Sequence, residues 1–248
     1  MIEEIDKKDR IISLNVKEIE QYEVNNDNIG EIRISGQDKT KEYKIIFELS
    51  KEAMIGLGIH CIRYMDCFES IDGVGLDLHV DPLGRPSPNQ QMGFFLAPGS
   101  EGIVFMGNDY GDLNENGIDK INKNKQIQRK NGQHKANYLI ELEWDDECYE
   151  SHNLGLLNIA NIKCFENGVE LPSYRDVLFS LSKNAYLGFG TELLRLAHNF
   201  KEGEQYTIKP MNDIEQDCQM GFFLTKTSAE LEIVCKSFPS VFHYDKDY

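Results

Sequence analysis

The sequence lacks most of the signatures that would assign it a chemistry. It contains no Cys-x-x-Cys pair, no His at zinc-finger spacing, no Gly-x-Ser-x-Gly and no His-Glu-x-x-His. The common zinc sites, the nucleophile turn of the α/β-hydrolases and the zinc-protease helix are thereby excluded. No stretch approaches the ~18 apolar residues of a membrane span. The segment from Met1 to Arg10 is charged, without the apolar centre of a signal peptide. These absences predict a cytoplasmic chain with no membrane partner. In that setting Cys61, Cys67, Cys148, Cys164, Cys218 and Cys235 read as reduced thiols packed as small hydrophobes, not as disulfides.

Positive charge is also scarce. There are 26 Lys and Arg against 42 Asp and Glu, a net charge of −16. Such a chain is repelled by nucleic-acid backbone and by anionic lipid, and it attracts basic partners. The acidity is uneven. Residues 1–108 carry 19 acids and 11 bases, residues 109–136 carry 4 and 6, and residues 137–248 carry 19 and 9. Two acidic regions thus flank a segment that is not acidic.

What the sequence does have is a core and a repeat. Apolar residues make up 40%, with 13 Phe and 11 Tyr, which excludes general disorder. Residues 47–63, FELSKEAMIGLGIHCIR, match residues 179–195, FSLSKNAYLGFGTELLR, at eight of seventeen positions. About one match would arise by chance at average composition. Downstream, Gln91-Met92-Gly93-Phe94-Phe95-Leu96 recurs unbroken as Gln219-Met220-Gly221-Phe222-Phe223-Leu224. The two matches keep their order, displaced by 132 and 128 positions. Upstream, Ile29, Ile32 and Arg33 line up with Ile159, Ile162 and Lys163. An internal duplication is the reading these matches support.

The paired copies predict the elements. Strands are expected at Ile11–Val16, Gly30–Ile34 and Tyr43–Leu49, and in the second copy at Tyr138–Trp144, Ile159–Phe165 and Asp176–Leu181. Ser50 and Ser182 then stand as helix N-caps. After them Ala53, Met54, Leu57, Cys61 and Met65 share one helical face, as do Ala185, Tyr186, Phe189, Leu193 and Ala197. The two glycines inside each helix cost about 1 kcal/mol apiece relative to alanine. Retaining them predicts a helix backbone held close against a sheet, or a helix that starts after them. Further strands follow near Val74–Val80, Gln91–Leu96 and Ile103–Met106, with counterparts at Gln205–Lys209, Gln219–Leu224 and Ala229–Val234.

The expected fold is therefore α+β, as two tandem copies of a small domain. Each copy would be a mainly antiparallel sheet with one principal helix packed on it. The boundaries are 1–108 for the first domain, 109–136 for a polar linker or long loop, and 137–248 for the second domain.

Candidate chemistry is thin. Asp112 to Gly117 opens like a calcium loop of Asp-x-Asn-x-Asn-Gly type, but Lys123 stands where the bidentate Glu is needed and Asp119 where an apolar residue belongs. A polar linker is the better reading, so no metal or cofactor is expected. Asp77, His79 and Asp81 would share one face of a strand, where a solvated face competes with an acid–base or metal role. Arg63 and Arg195, kept in both copies, read as ion-pair partners at the helix end. The run Glu143, Trp144, Asp145, Asp146 and Glu147 holds the single tryptophan beside several carboxylates, a combination suited to docking a basic protein. A core tryptophan followed by an acidic turn accounts for the same residues.

Three function classes stay open: a binding protein, an enzyme or small-ligand binder with an unrecognised site, and a scaffold subunit. The Phe-x-Leu-Ser-Lys-x-Ala…Gly-x-Gly segment, the Met-Gly-Phe-Phe-Leu strand and the negative charge give a profile that resembles the immunity proteins of bacterial polymorphic-toxin and contact-dependent inhibition systems. That resemblance implies a cytoplasmic, non-enzymatic antidote that binds one cognate toxin, often a basic nuclease. It carries no functional residues over.

Overall fold

The computed structural model describes residues 10–15, 29–38, 41–67, 78–84, 92–108, 135–140, 159–172, 175–211 and 220–240. In chain order the elements are β1 (Arg10–Asn15), β2 (Ile29–Ile34), β3 (Tyr43–Leu49), α1 (Lys51–Cys67), β4 (Leu78–Val80), β5 (Phe95–Leu96) and β6 (Gly102–Gly107). There follow β7 (Lys135–Ile140), β8 (Ile159–Glu166), β9 (Val169–Glu170), β10 (Asp176–Leu181), α2 (Lys183–His198), β11 (Gln205–Ile208), β12 (Phe223–Leu224) and β13 (Glu230–Cys235). The α+β class stands, with β7 starting at Lys135, just inside the expected linker. Residues 109–134 lie outside the described residues.

Alternation writes the strands. In β3, Tyr43, Ile45, Phe47 and Leu49 are buried while Lys44, Ile46 and Glu48 on the opposite side are half-buried. The expected helix faces are buried as well: Ala53, Met54, Leu57 and Cys61 in α1, and Ala185, Tyr186, Phe189, Leu193 and Ala197 in α2. The Met65 side chain lies outside the described residues. Both serine caps form. Ser50 Oγ accepts the Ala53 N–H at 3.0 Å, and Ser182 Oγ accepts the Ala185 N–H at 3.2 Å.

The sheets depart from expectation in two ways. One is five-stranded in the order β12-β2-β10-β6-β4, the other six-stranded in the order β11-β13-β3-β8-β5, with β9 pairing the end of β8. Both are mixed, not mainly antiparallel. β10 is antiparallel to β2 and parallel to β6, while β3 is antiparallel to β8 and parallel to β13. Nor does each half build its own sheet, because strands from before and after the 109–134 segment are interleaved in both. The short β2–β3 spacing suggests a hairpin, yet the two strands enter different sheets. β1 and β7 form a separate antiparallel ribbon.

Helix α1 packs on β3 and β8, helix α2 packs on β2 and β10, and the helices pack on each other. The inner faces of both sheets and both helices share one buried cluster. The Gly-x-Gly strings are explained here, and differently from expectation. A Cβ at Gly58 would lie 2.9 Å from the Gly190 carbonyl oxygen, so these glycines mark the helix–helix crossing. A Cβ at Gly56 would lie 2.0 Å from the Gly93 carbonyl oxygen, and one at Gly221 would lie 2.4 Å from the Gly188 carbonyl carbon. The close neighbours are a facing helix and a turn, not a sheet. Gly93 and Gly221 also sit at φ +77° and +80°, where side chains are disfavoured.

Candidate functional site

Among the described residues a cleft of about 740 Å³ opens on the outer side of the six-stranded sheet, at the seam between the two halves. Its floor is Lys44 and Ile46 of β3, Phe165 of β8 and Glu230 of β13, with Pro210 and the 226–228 loop at the rim. Hydrogen bonds between the halves hold that rim. Gln37 Oε1 accepts the Ile34 N–H at 2.9 Å while its Nε2 donates to the Thr227 carbonyl at 3.2 Å. Tyr43 Oη accepts the Asp38 N–H and donates to Glu166 at 3.1 Å. Volumes of roughly 300–1,000 Å³ are typical of small-ligand sites.

Two lysines of the cleft are paired. Lys41 bridges to Glu166 at 2.6 Å, and Lys44 bridges to Glu232 and, at 3.5 Å, to Glu230. The hydrogen bond to Glu166 raises the Lys41 ammonium, and that to Glu232 raises Lys44 against the lowering effect of burial. Glu166 is held below the ordinary carboxylate value, first by its bond to Lys41. Deeper along the same face, Glu48 accepts from Asn161 at 2.6 Å and from Lys236 at 2.7 Å. Burial alone would raise Glu48, but these two partners together hold it low. Ammonium groups kept protonated cannot act as bases, and carboxylates kept ionised cannot act as acids near neutrality.

The sequence candidates are dispersed. His79 is exposed on β4; Asp81, just past the strand, is half-buried; Asp77 lies outside the described residues. Asp81 instead neighbours Asp176. A Cβ at Gly102 would lie 2.6 Å from Asp176 Oδ1 and 3.8 Å from Asp81 Oδ1. Among the described residues no group of three or more His, Cys, Asp or Glu is placed to hold a metal ion. The Asp112–Gly117 string and the run Glu143, Trp144, Asp145, Asp146 and Glu147 both lie outside the described residues.

Arg195 is an ion-pair partner as expected. Its Nη1 meets Glu192 Oε1 at 2.9 Å within the same helix, with both side chains more than nine-tenths buried. Arg63 and His60 are also buried on α1. Cys61, Cys164 and Cys235 are free, buried thiols. Burial raises Cys61 well above its ordinary value, Cys164 to about 12 and Cys235 to about 11, so none is a ready nucleophile.

Residues that the sequence reading passed over complete the frame. Ser100 Oγ accepts the Ile162 N–H at 2.8 Å, and Ser228 Oγ accepts the Ile32 N–H at 3.2 Å. Ser228 also helps line the cleft. Their shared spacing after Leu96 and Leu224 was the available signal.

Residues 141–158 contain six acids and 212–219 contain three, with no Lys or Arg in either. No helix among the described residues is long and apolar enough to cross a membrane. No family model, curated protein or solved structure matches the chain.

Proposed function

We propose that the protein is an acidic cytoplasmic binding protein of the immunity type, which captures and neutralises one basic toxin protein, a nuclease being the chemistry that best fits its charge. The net charge of −16 carries this reading, with acids gathered where Lys and Arg are absent, six in residues 141–158 and three in 212–219. Concentrated negative charge steers a basic partner into encounter. Tight binding also needs a buried anchor, and Trp144, set among Glu143, Asp145, Asp146 and Glu147, supplies one. We further propose that the chain is a tandem duplication of one α+β half, which accounts for the matched Ser50/Ser182 caps and the paired glycine contacts. Divergence between the halves then leaves one of them to meet the toxin and the other to support the fold.

The test is capture from a lysate of the source organism on tagged protein, eluted with a salt gradient. One stoichiometric basic protein held well above physiological salt is expected, and co-expression should protect cells from it. Changing Glu143, Asp145, Asp146 and Glu147 to their amides should slow association and flatten its salt dependence. An empty column, or a partner indifferent both to salt and to these changes, would sink the reading. The cleft at the seam favours a second reading, a small-ligand binder, which would appear as a thermal shift with metabolites and no protein partner.

A further inference from the structure

Among the described residues, seven of the ten strand ladders join one half of the chain to the other: β1·β7, β2·β10, β6·β10, β2·β12, β3·β13, β3·β8 and β5·β8. The other three, β4·β6, β11·β13 and β8·β9, lie within a half. The exchange is reciprocal at the centre of each sheet. β3, from the first half, has both its neighbours in the second, and β10, from the second half, has both its neighbours in the first. The caps cross over too. Ser50 Oγ accepts the Ile159 N–H and Ser182 Oγ accepts the Ile29 N–H, each at 3.2 Å. Even the helix crossing at Gly58 and Gly190 joins the two halves.

We infer that this surface also joins two copies of the chain, which associate by exchanging halves. Each half by itself leaves the central position of its sheet to a strand that the other half donates, and a second copy carries an identical donor. Exchange therefore recreates every ladder, cap and helix contact and needs no new interface. The covalent connection between Gly107 and Lys135 makes association of the halves intramolecular and so favours the closed monomer when the protein is dilute. Linked modules reach effective concentrations on the order of millimolar. Folding at comparable protein concentration lets the second copy compete. Once formed, either state persists, because interconversion must undo all seven shared ladders together.

The experiment mixes two copies of the full chain bearing different affinity tags and a specific protease site inserted after Lys123. They are refolded from guanidinium at about 1 µM and about 1 mM, concentrations that bracket the effective concentration of the tie. Dilute refolding should give particles of the 28.5 kDa chain mass. Concentrated refolding should add particles of twice that mass that carry both tags and survive dilution. Cutting the inserted site should then split the double-mass particle into two of single mass, each holding one fragment from each copy. Single-mass particles alone at the high concentration would overturn the inference. So would a double-mass particle that survives the cut, because a conventional dimer interface would hold it together.

Discussion

The two sheets are alike inside and unlike outside. On the inner faces Phe47 in β3 and Phe179 in β10 occupy matched sequence positions, and both are buried. Each meets a ring from a Met-Gly-Phe-Phe string, Phe47 with Phe94 at 5.7 Å and Phe179 with Phe222 at 6.2 Å. The outer faces part company. On the six-stranded sheet, Lys44 and Glu48 are tied to Glu232, Lys236 and Asn161. At the matched positions on the five-stranded sheet stand Asp176 and Ser180, and Leu178 lies opposite a buried Val104. The inner faces have a core volume to fill, a constraint that the outer faces do not share.

If the inner faces are equivalent, truncating their central rings should cost alike. Phe179→Ala and Phe47→Ala are each expected to lower unfolding free energy by about 3–5 kcal/mol, read from urea denaturation. Phe179 also packs on Phe105 and Phe189, each at 5.3 Å, so it should stand at the upper end. A Phe47→Ala loss below ~1 kcal/mol would break the equivalence. The glycine contacts make the next comparison. Gly56→Ala and Gly221→Ala each force a methyl against backbone, with the positive φ of Gly221 as an added strain. About 3 kcal/mol is expected for each, since backbone cannot yield as a flexible side chain does. Thermal melts that show either variant unchanged would mean that the turn shifts to admit the methyl.

How far the sequence foretold this depends on which kind of force fixes each feature. Period-2 runs such as Tyr43–Leu49 and Asp176–Leu181 coincide with observed strands because alternation is a local consequence of pleating. Ser50 and Ser182 were legible because capping is local. Partnership was not. Nothing within β2 or β3 tells that Ile34 pairs with Val177 and Tyr43 with Glu166, since edge hydrogen bonds look the same to any strand. The matched strings align the two halves in sequence, but such a match does not distinguish side-by-side domains from exchanged ones. The cleft was illegible for the same reason: Lys44, Phe165 and Glu230 meet only once strands from both halves are interleaved. Of Asp77, His79 and Asp81, weighed as one strand face, only His79 stands in β4, which ends at Val80, and Asp77 lies outside the described residues.

The caps sharpen the comparison at a smaller scale. Each serine hydroxyl accepts two backbone N–H groups, one in its own helix and one at the start of a strand in the other half. Ser50→Ala and Ser182→Ala should each cost about 2 kcal/mol, above a simple cap because a second buried donor is also left unmet. The double variant should cost the sum, because the two sites share no partner. Hydrogen exchange gives the finer check. Ile159 N–H should lose protection in Ser50→Ala, and Ile29 N–H in Ser182→Ala. Loss at both positions in either variant would mean that the halves open together rather than site by site.

The smallest effect separates the outer faces by pH. Glu48 is held below its ordinary value of 4.5, so its contribution is complete above that pH and fades as pH falls through the lower folded value. Lys44 is held above its ordinary 10.5, so its contribution is complete below that pH and is lost as pH climbs through the higher folded value. Both groups are partly solvated, which limits each to less than about 1 kcal/mol. At the position matching Glu48 the five-stranded sheet has Ser180, which cannot titrate in this range. Glu48→Gln should therefore narrow its deficit against the natural protein as pH falls from 5 toward 3, while Ser180→Ala keeps a constant offset across the same melts. A Glu48→Gln deficit that stays flat would assign the effect to packing, and the Glu48 ion pair would no longer separate the two outer faces.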